Sequence, residues 1–175
     1  MKKTVSLMAM IALLVSLLPA NIQAAGPPEG YELALEQPAL ALYLNREDGS
    51  VILMDRADGY LWRSNPGQAD SRARGIHRQT LLSQITVSYS NERGTALSMA
   101  SAADAVKAGG LSMDLQDDAL RAIYDFPKQR IRVTLVYTLM PGYLSVRVPV
   151  DGITAYPDEE GNPNQDMDPT QYINF

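Results

Sequence analysis

Residues 131–150 read IRVTLVYTLMPGYLSVRVPV, and this stretch decides the fold class of the chain. Apolar residues occupy every second position from Ile131 to Leu139, which places them on one face of an extended strand. The Pro-Gly pair at 141–142 is a turn signal, and the alternation resumes in residues 143–150. The stretch predicts two paired antiparallel strands, and we expect this hairpin to lie at the centre of a sheet.

Short segments of the same kind occur before this hairpin, from Tyr31 onward, and each ends in turn residues. Together they predict about nine strands and no long helix, a pattern typical of antiparallel sandwiches and barrels. The expected fold is therefore all-β, an antiparallel β-sandwich with at most one short helix. Residues 101–108 are the candidate for that helix, with a polar edge segment as the alternative. Residues 68–80 predict a polar, basic loop with room for one helical turn.

The N-terminus has the three parts of a secretory signal peptide. Two lysines at positions 2 and 3 precede an apolar run over residues 5–18, and small residues follow for cleavage after Ala24 or Ala25. A membrane anchor is the alternative, but the run is shorter than the ~20 residues that a spanning helix needs. We therefore expect a secreted, extracellular protein with no stable membrane insertion after cleavage.

The expected domain plan follows from these segments. Residues 1–24 are the signal peptide, 25–30 a flexible leader, 31–154 the β-sandwich domain, and 155–175 an acidic loop with the truncated start of a following element. The chain ends in QYINF, an apolar, strand-like segment that follows a tail rich in Asp, Asn, Pro and Gly. This ending predicts that the chain is the front part of a longer protein.

The composition narrows the classes of function. The chain carries a formal net charge of −5, and cleavage of the signal peptide removes Lys2 and Lys3 and leaves the rest more acidic. An acidic chain is a poor partner for nucleic acid and for an anionic membrane. The chain contains no cysteine, which excludes disulfides, thiolate metal sites and cysteine nucleophiles.

The sequence carries no common catalytic motif, and we predict no catalytic residue and no cofactor. A phosphate-binding glycine loop, a G-x-S-x-G elbow and an H-E-x-x-H motif are all missing. The single histidine, His77, lies in the basic loop with no evident nucleophile beside it. Glycoside hydrolysis needs two carboxylates, but most aspartates here lie at turns, where their side chains bond to the backbone. The aspartates considered are Asp55, Asp58, Asp114, Asp117, Asp118, Asp125 and Asp151.

The acidic tail offers the oxygen ligands that calcium prefers. Asp158, Asp166 and Asp168 are the candidates for such a site. The order of ligands in an EF-hand loop is missing, and a disordered acidic loop is the alternative interpretation.

Tyr60 and Trp62 are the candidate sugar-contact residues. They alternate on one face of a strand beside the Asp58-Gly59 turn, which is a hairpin signal. Exposed together, two aromatic rings suit stacking on a pyranose ring. A tryptophan in a sandwich is more often buried, and we predict that Trp62 lies in the core.

From Tyr31 to Asp151, the order of segments resembles the N-terminal region of large secreted bacterial proteins in domain-of-unknown-function family 5696. The most specific segment is DGYLWRSNP at 58–66, and the second is VRVPVDGI at 146–153. The resemblance implies a carbohydrate-active protein. A similar tight turn and Trp-containing strand occur in β-sandwiches that precede the barrel of several glycoside hydrolases. By that resemblance, the main carboxylates belong to a C-terminal catalytic domain that is absent from this chain.

Three functions fit these observations. The first is an accessory, non-catalytic β-sandwich of a secreted carbohydrate-active protein, with carbohydrate and a C-terminal catalytic domain as partners. The alternative is a stand-alone extracellular module that binds carbohydrate or the cell envelope. A small hydrolase is the third, and the lack of a convincing acid/base pair counts against it.

Overall fold

The computed structural model describes residues 28–66, 72–90 and 95–162, and its first sheet comes from the start of this range. Each strand of this sheet pairs antiparallel with the next along the chain, so the sheet is a meander. Its strands are β1 (Glu32–Glu36), β2 (Leu40–Leu44), β3 (Val51–Asp55) and β4 (Leu61–Arg63). β1 and β4 are therefore its two edges.

A small helical and hairpin region follows the first sheet. The helix α1 (Gly75–Leu81) leads into an antiparallel hairpin of β5 (Thr86–Ser90) and β6 (Ala96–Ala100). A π-helical turn at Ser101–Ala105 continues into a 3-10 turn at Val106–Ala108. The chain then enters the second large sheet.

The second sheet is also antiparallel and is centred on one long strand. Its strands are β7 (Leu111–Gln116), β8 (Ala119–Phe126), β9 (Ile131–Met140), β10 (Tyr143–Arg147) and β11 (Ile153–Ala155). The whole length of β8 pairs with one side of β9. On the other side, β10 pairs with the second half of β9 and β11 with its start. β10 is therefore an edge strand of this sheet.

Polarity alternation explains why β8 forms a strand with one face in the core. Every second side chain from Leu120 to Phe126 is buried, and the residues between them are half-buried. Successive side chains on a strand point to opposite faces, so this pattern fixes which face of the sheet turns inward. Tyr124 and Val133 lie opposite each other on β8 and β9, and both are completely buried.

The main apolar core lies between the two large sheets, and the β5–β6 hairpin contributes to it. Removal of this apolar surface from water is the dominant stabilising contribution in such a domain. Its most deeply buried members are Leu42, Leu44, Val87, Met99, Leu120, Tyr124, Phe126, Ile131 and Val133.

A second, smaller apolar cluster lies on the outer face of the first sheet. It consists of Ala41, Tyr43, Ile52 and Met54, with Tyr31 and Leu61 packed against it. β2 is consequently buried at all five of its positions, on both faces of the sheet.

The expected all-β antiparallel sandwich is confirmed, with differences in detail. The described residues contain eleven strands, and the three-residue β11 is too short for an alternation to indicate it. Residues 101–108 are helical, and the basic loop contains the two-turn helix α1. The expected limit of one short helix is therefore wrong, because both segments are too short for a helical apolar pattern to show in the sequence. The hairpin of 131–150 is present, but its second strand is an edge, so the expected central position is wrong for β10.

Several expectations fall outside the described residues. The signal peptide at 1–24, the first half of the leader and the end of the chain from 163 onward are among them. They stay predictions. The described part of the chain holds no helix with the length and hydropathy that a membrane crossing demands.

Candidate functional site

A groove of about 330 Å³ runs along one open side of the sandwich, between the edge strands β4 and β10. Three parts of the chain meet there: the end of the first sheet, the residues that follow α1, and the second sheet. Its lining residues are Val51, Leu53, Trp62, Arg63, Ser64, Ser83, Gln84, Tyr137, Leu144 and Val146. The lining is thus mostly apolar, with a few polar groups, which is the usual composition of a ligand site.

Trp62 is the largest side chain in the groove, and the prediction that it lies in the core is wrong. It pairs with Leu53 across β3 and β4, so both side chains are on the face that turns toward the second sheet. No further strand of the sheet lies beyond β4, and the side chain of Trp62 is therefore 48% exposed. A buried tryptophan would need a neighbouring strand to cover it.

Tyr60 and Trp62 form the aromatic pair that their spacing predicts. Their ring centroids are 4.9 Å apart and the ring planes meet at 67°, an edge-to-face arrangement. Tyr60 is 58% exposed. The pair thus presents aromatic surface to solvent at the rim of the groove.

The turn before β4 holds this pair in place. Gly59 has a positive φ of 76°, a conformation that glycine adopts without steric cost. The backbone N–H of Tyr60 donates to the carboxylate of Asp58 (2.8 Å), and its carbonyl accepts from the N–H of Asp55 (2.9 Å). The predicted hairpin turn therefore positions the first aromatic ring.

The polar groups of the groove belong to a hydrogen-bonded network. Ser64 Oγ accepts from the backbone N–H of Val51 (2.9 Å), which leaves its own hydroxyl proton available to a ligand. Gln84 Nε2 donates to the side-chain oxygen of the buried Asn65 (2.5 Å), and the carbonyl oxygen Oε1 of Gln84 is an acceptor. Asn65 Nδ2 donates to the carbonyl of Leu82 (3.1 Å). These contacts join the end of β4 to the end of α1.

Sequence reasoning missed the other walls of the groove. Tyr137 and Val146 are direct cross-strand partners on β9 and β10, and Leu144 lies on the same face. Their alternation indicates a core face, but β10 is an edge strand, so Val146 is 51% exposed. Gln84 carried no signal at all, because its role depends on Asn65, which is 19 residues away.

Most of the aspartates considered as catalytic candidates lie at turns. Asp55 accepts from the N–H of Ala57 and Asp58 from that of Tyr60, as turn aspartates commonly do. Asp117 and Asp118 form the turn between β7 and β8, with positive φ values of 46° and 62°. Asp114, on β7, faces Arg121 on β8 in the strand register, and Asp151 lies in the 3-10 turn Val150–Gly152.

Asp125 belongs to a small polar group at the start of β9. It accepts from the hydroxyl of Tyr156 (2.7 Å) and pairs with Arg132 (3.3 Å). Burial, and then the nearby carboxylate of Asp125, raises the pKa of Tyr156 to about 12. Tyr156 therefore remains a hydrogen-bond donor throughout the physiological range.

The calcium candidates are only partly placed. Asp158 accepts from the side-chain amide of Asn162 (3.1 Å) and from the backbone N–H groups of Asn162 (2.8 Å) and Glu160 (3.0 Å), and these bonds hold the pKa of its carboxyl below the usual range. Asp166 and Asp168 lie outside the described residues. Across 28–66, 72–90 and 95–162, no three His, Asp or Glu side chains come together to hold a metal ion. His77 is exposed on α1.

Comparisons with known proteins found no match among protein-family models, curated proteins or solved structures. The resemblance to family 5696 therefore stays a prediction. The functional argument depends on the groove and its residues.

Proposed function

We propose that this chain is a non-catalytic β-sandwich that binds carbohydrate, as an accessory module of a secreted carbohydrate-active protein. The observation that carries the proposal is the exposed edge-to-face pair of Tyr60 and Trp62 at the rim of the groove. The resemblance of residues 58–66 to secreted carbohydrate-active proteins supports the accessory role.

The aromatic pair suits a sugar because of the surface that a pyranose presents. One face of the ring consists largely of C–H groups, while hydroxyl groups project around its rim. An exposed indole offers a flat apolar surface for the C–H face, and exposed aromatic surface of this size is a common mark of a binding site. Trp62 lies on a strand, which holds a stacking surface more rigidly than a loop does.

The polar groups beside Trp62 suit the hydroxyl rim of the same sugar. Ser64 has a hydroxyl proton that its bond to Val51 does not use, and Gln84 has an amide oxygen. The bonds to Val51 and Asn65 fix these two side chains in orientation before a ligand arrives, which lowers the entropic cost of binding.

The test is to run the full chain in native gels that contain soluble polysaccharides and to look for slowed migration. Oligosaccharide fragments of each polysaccharide that slows the chain are then used in binding titrations. Trp62 is the only tryptophan, so its fluorescence reports directly on the groove. We expect Trp62→Ala and Tyr60→Ala to weaken binding about tenfold or more, since loss of a stacked ring removes roughly 1.4 kcal/mol.

Tyr143→Ala is the matched control. Tyr143 is equally exposed, at 56%, but it lies on the face of β10 that turns away from the groove. This variant should bind like the wild type, and none of the proteins should release sugar from the polysaccharide. Equal binding by Trp62→Ala and the wild type would refute the proposal.

A further inference from the structure

The edge strand β10 differs from the other edges of the two large sheets. β1 has a bulge between Leu33 and Leu35 and an exposed glutamate at each end, β4 is only three residues long, and β7 has an exposed aspartate, Asp114, within it. Bulges, short length and charges protect an edge strand against pairing with another chain. β10 pairs with β9 in an unbroken register and carries a single charge, at its last residue. No described strand pairs with its other side.

The open side of β10 offers both backbone groups and side chains to a partner. The two-residue turn 141–142 makes Met140 and Tyr143 a hydrogen-bonded pair, so Leu144 and Val146 turn their backbone N–H and C=O groups outward. Tyr143 and Val146 are both exposed, and they lie on opposite faces of the strand. The occupant that matches all these groups is another extended strand.

We propose that this occupant is β10 of a second copy of the chain, in an antiparallel pairing centred on Ser145. Such a pairing has a two-fold axis, so both copies use the same five residues and the dimer is closed. Leu144 of each copy lies opposite Val146 of the other, and their outward backbone groups bond to each other. The dimer goes beyond carbohydrate binding and does not depend on it.

The side chains of β10 are complementary to themselves in this register. Leu144 and Val146 are on the face that turns toward the first sheet, so each apolar side chain meets an apolar one of the second copy. Tyr143 and Arg147 are on the outer face, where the guanidinium of one copy lies over the ring of the other. Each of these contacts occurs twice in the dimer because of the two-fold axis.

Other registers of the same pairing fit less well. A shift by one residue would set outward backbone groups opposite inward ones. A pairing centred on Val146 would leave Tyr143 without a partner within the strand and would bring the two copies of Arg147 within two residues of each other. In the pairing centred on Ser145, the two arginines are four residues apart, or about 13 Å, which exceeds the screening length of about 8 Å at physiological salt.

The test measures self-association of the full chain by sedimentation velocity over a series of concentrations. A pair of five-residue strands is a small interface, so we expect a weak dimer with a dissociation constant on the order of 100 μM. The concentrations should therefore extend from well below to well above this value. At the dilution of a fluorescence titration the chain is monomeric, so the two proposals succeed or fail separately.

A charge swap then tests the register. Tyr143→Lys sets a lysine opposite Arg147 of the second copy at two symmetric positions, and should weaken association about tenfold or more. Addition of Arg147→Glu to the same chain converts both repulsive pairs into attractive ones, and should restore most of the association. The two positions are about 13 Å apart within one copy, so no ion pair forms there instead.

Leu115→Lys is the matched control, because it adds the same charge to an exposed residue of β7, the opposite edge of the same sheet. It should associate like the wild type, and thermal unfolding checks that every variant is folded. A wild-type chain that stays monomeric at all concentrations would overturn the proposal. Unchanged association of Tyr143→Lys, or no recovery in the double variant, would overturn it as well.

Discussion

The hydroxyl oxygen of Tyr124 lies so close to Gly49 that a Cβ atom on residue 49 would stand only 2.6 Å from it. Gly49 lies in the loop between β2 and β3 and has a positive φ of 78°. Tyr124 is completely buried on β8. A loop of the first sheet therefore rests on a side chain of the second, and glycine is required there for both space and backbone conformation.

We expect Gly49→Ala to destabilise the domain more than Gly59→Ala. Both glycines have a positive φ, which costs an alanine about 1–2 kcal/mol, but a Cβ on Gly59 meets no atom within 4 Å. For Gly49→Ala alone, steric overlap with Tyr124 should lower the free energy of unfolding by a further 1–3 kcal/mol, roughly. Chemical unfolding of the two variants measures the difference.

A double variant isolates that contact. In a Tyr124→Phe background the hydroxyl oxygen is gone, and the next atoms around the new Cβ are at 3.4 Å. The cost of Gly49→Ala should then fall to that of Gly59→Ala. An equal cost in both backgrounds would show that the contact contributes nothing.

Two valines with the same alternation should respond differently to a charge. Val133 is completely buried on β9, whereas Val146 is 51% exposed on the edge strand β10. Val133→Asp should cost more than about 4 kcal/mol, because it buries an unpaired carboxylate. Val146→Asp should cost less than about 1 kcal/mol, as surface substitutions do. Similar melting temperatures for the two variants would contradict the exposed position of β10.

The stability of the domain should fall at alkaline pH. Burial raises the pKa of Tyr137 and, with Asp125, that of Tyr156 to about 12, against an ordinary value of 10.0. A tyrosine whose pKa is higher in the folded state than in the unfolded state contributes stability that is fully present below pH 10. This contribution is lost as the pH rises through 12. Tyr156→Phe should be less stable than the wild type at pH 7, and this gap should narrow between pH 10 and 12. Unfolding free energies across that range test it, and a constant gap would count against the role of Tyr156.

The fold could be predicted because polarity alternation is a local signal. The residues of β8 and β9 alternate in the sequence and are buried accordingly, and the Asp58-Gly59 pair correctly predicts a hairpin. The position of a strand within its sheet, at an edge or in the middle, is not determined by the local sequence. Trp62 and Val146 carry the pattern of core residues, and only the order of strands makes them exposed.

The groove could be predicted only in part, for the same reason. The spacing of Tyr60 and Trp62 indicates an aromatic pair, and the structure places the rings in contact. The opposite wall, Leu144 and Val146, comes from a strand 80 residues further along, and no pattern in the sequence links the two. Such pairings depend on how the sheets stack.

The complete burial of β2 has a consequence for how its register is specified. A strand with one solvent-exposed face cannot slip by one residue without exposing its apolar side chains. In β2, however, LALYL is apolar at every position, so its side chains would remain buried after a slip. The information that fixes this pairing must therefore come from the adjoining loop. Asn45 donates its N–H to the carbonyl of Ser50 (2.8 Å), and Asp48 accepts from the N–H and hydroxyl of Ser50. A six-residue loop of five polar residues and a glycine thus encodes the alignment of a strand whose own side chains cannot.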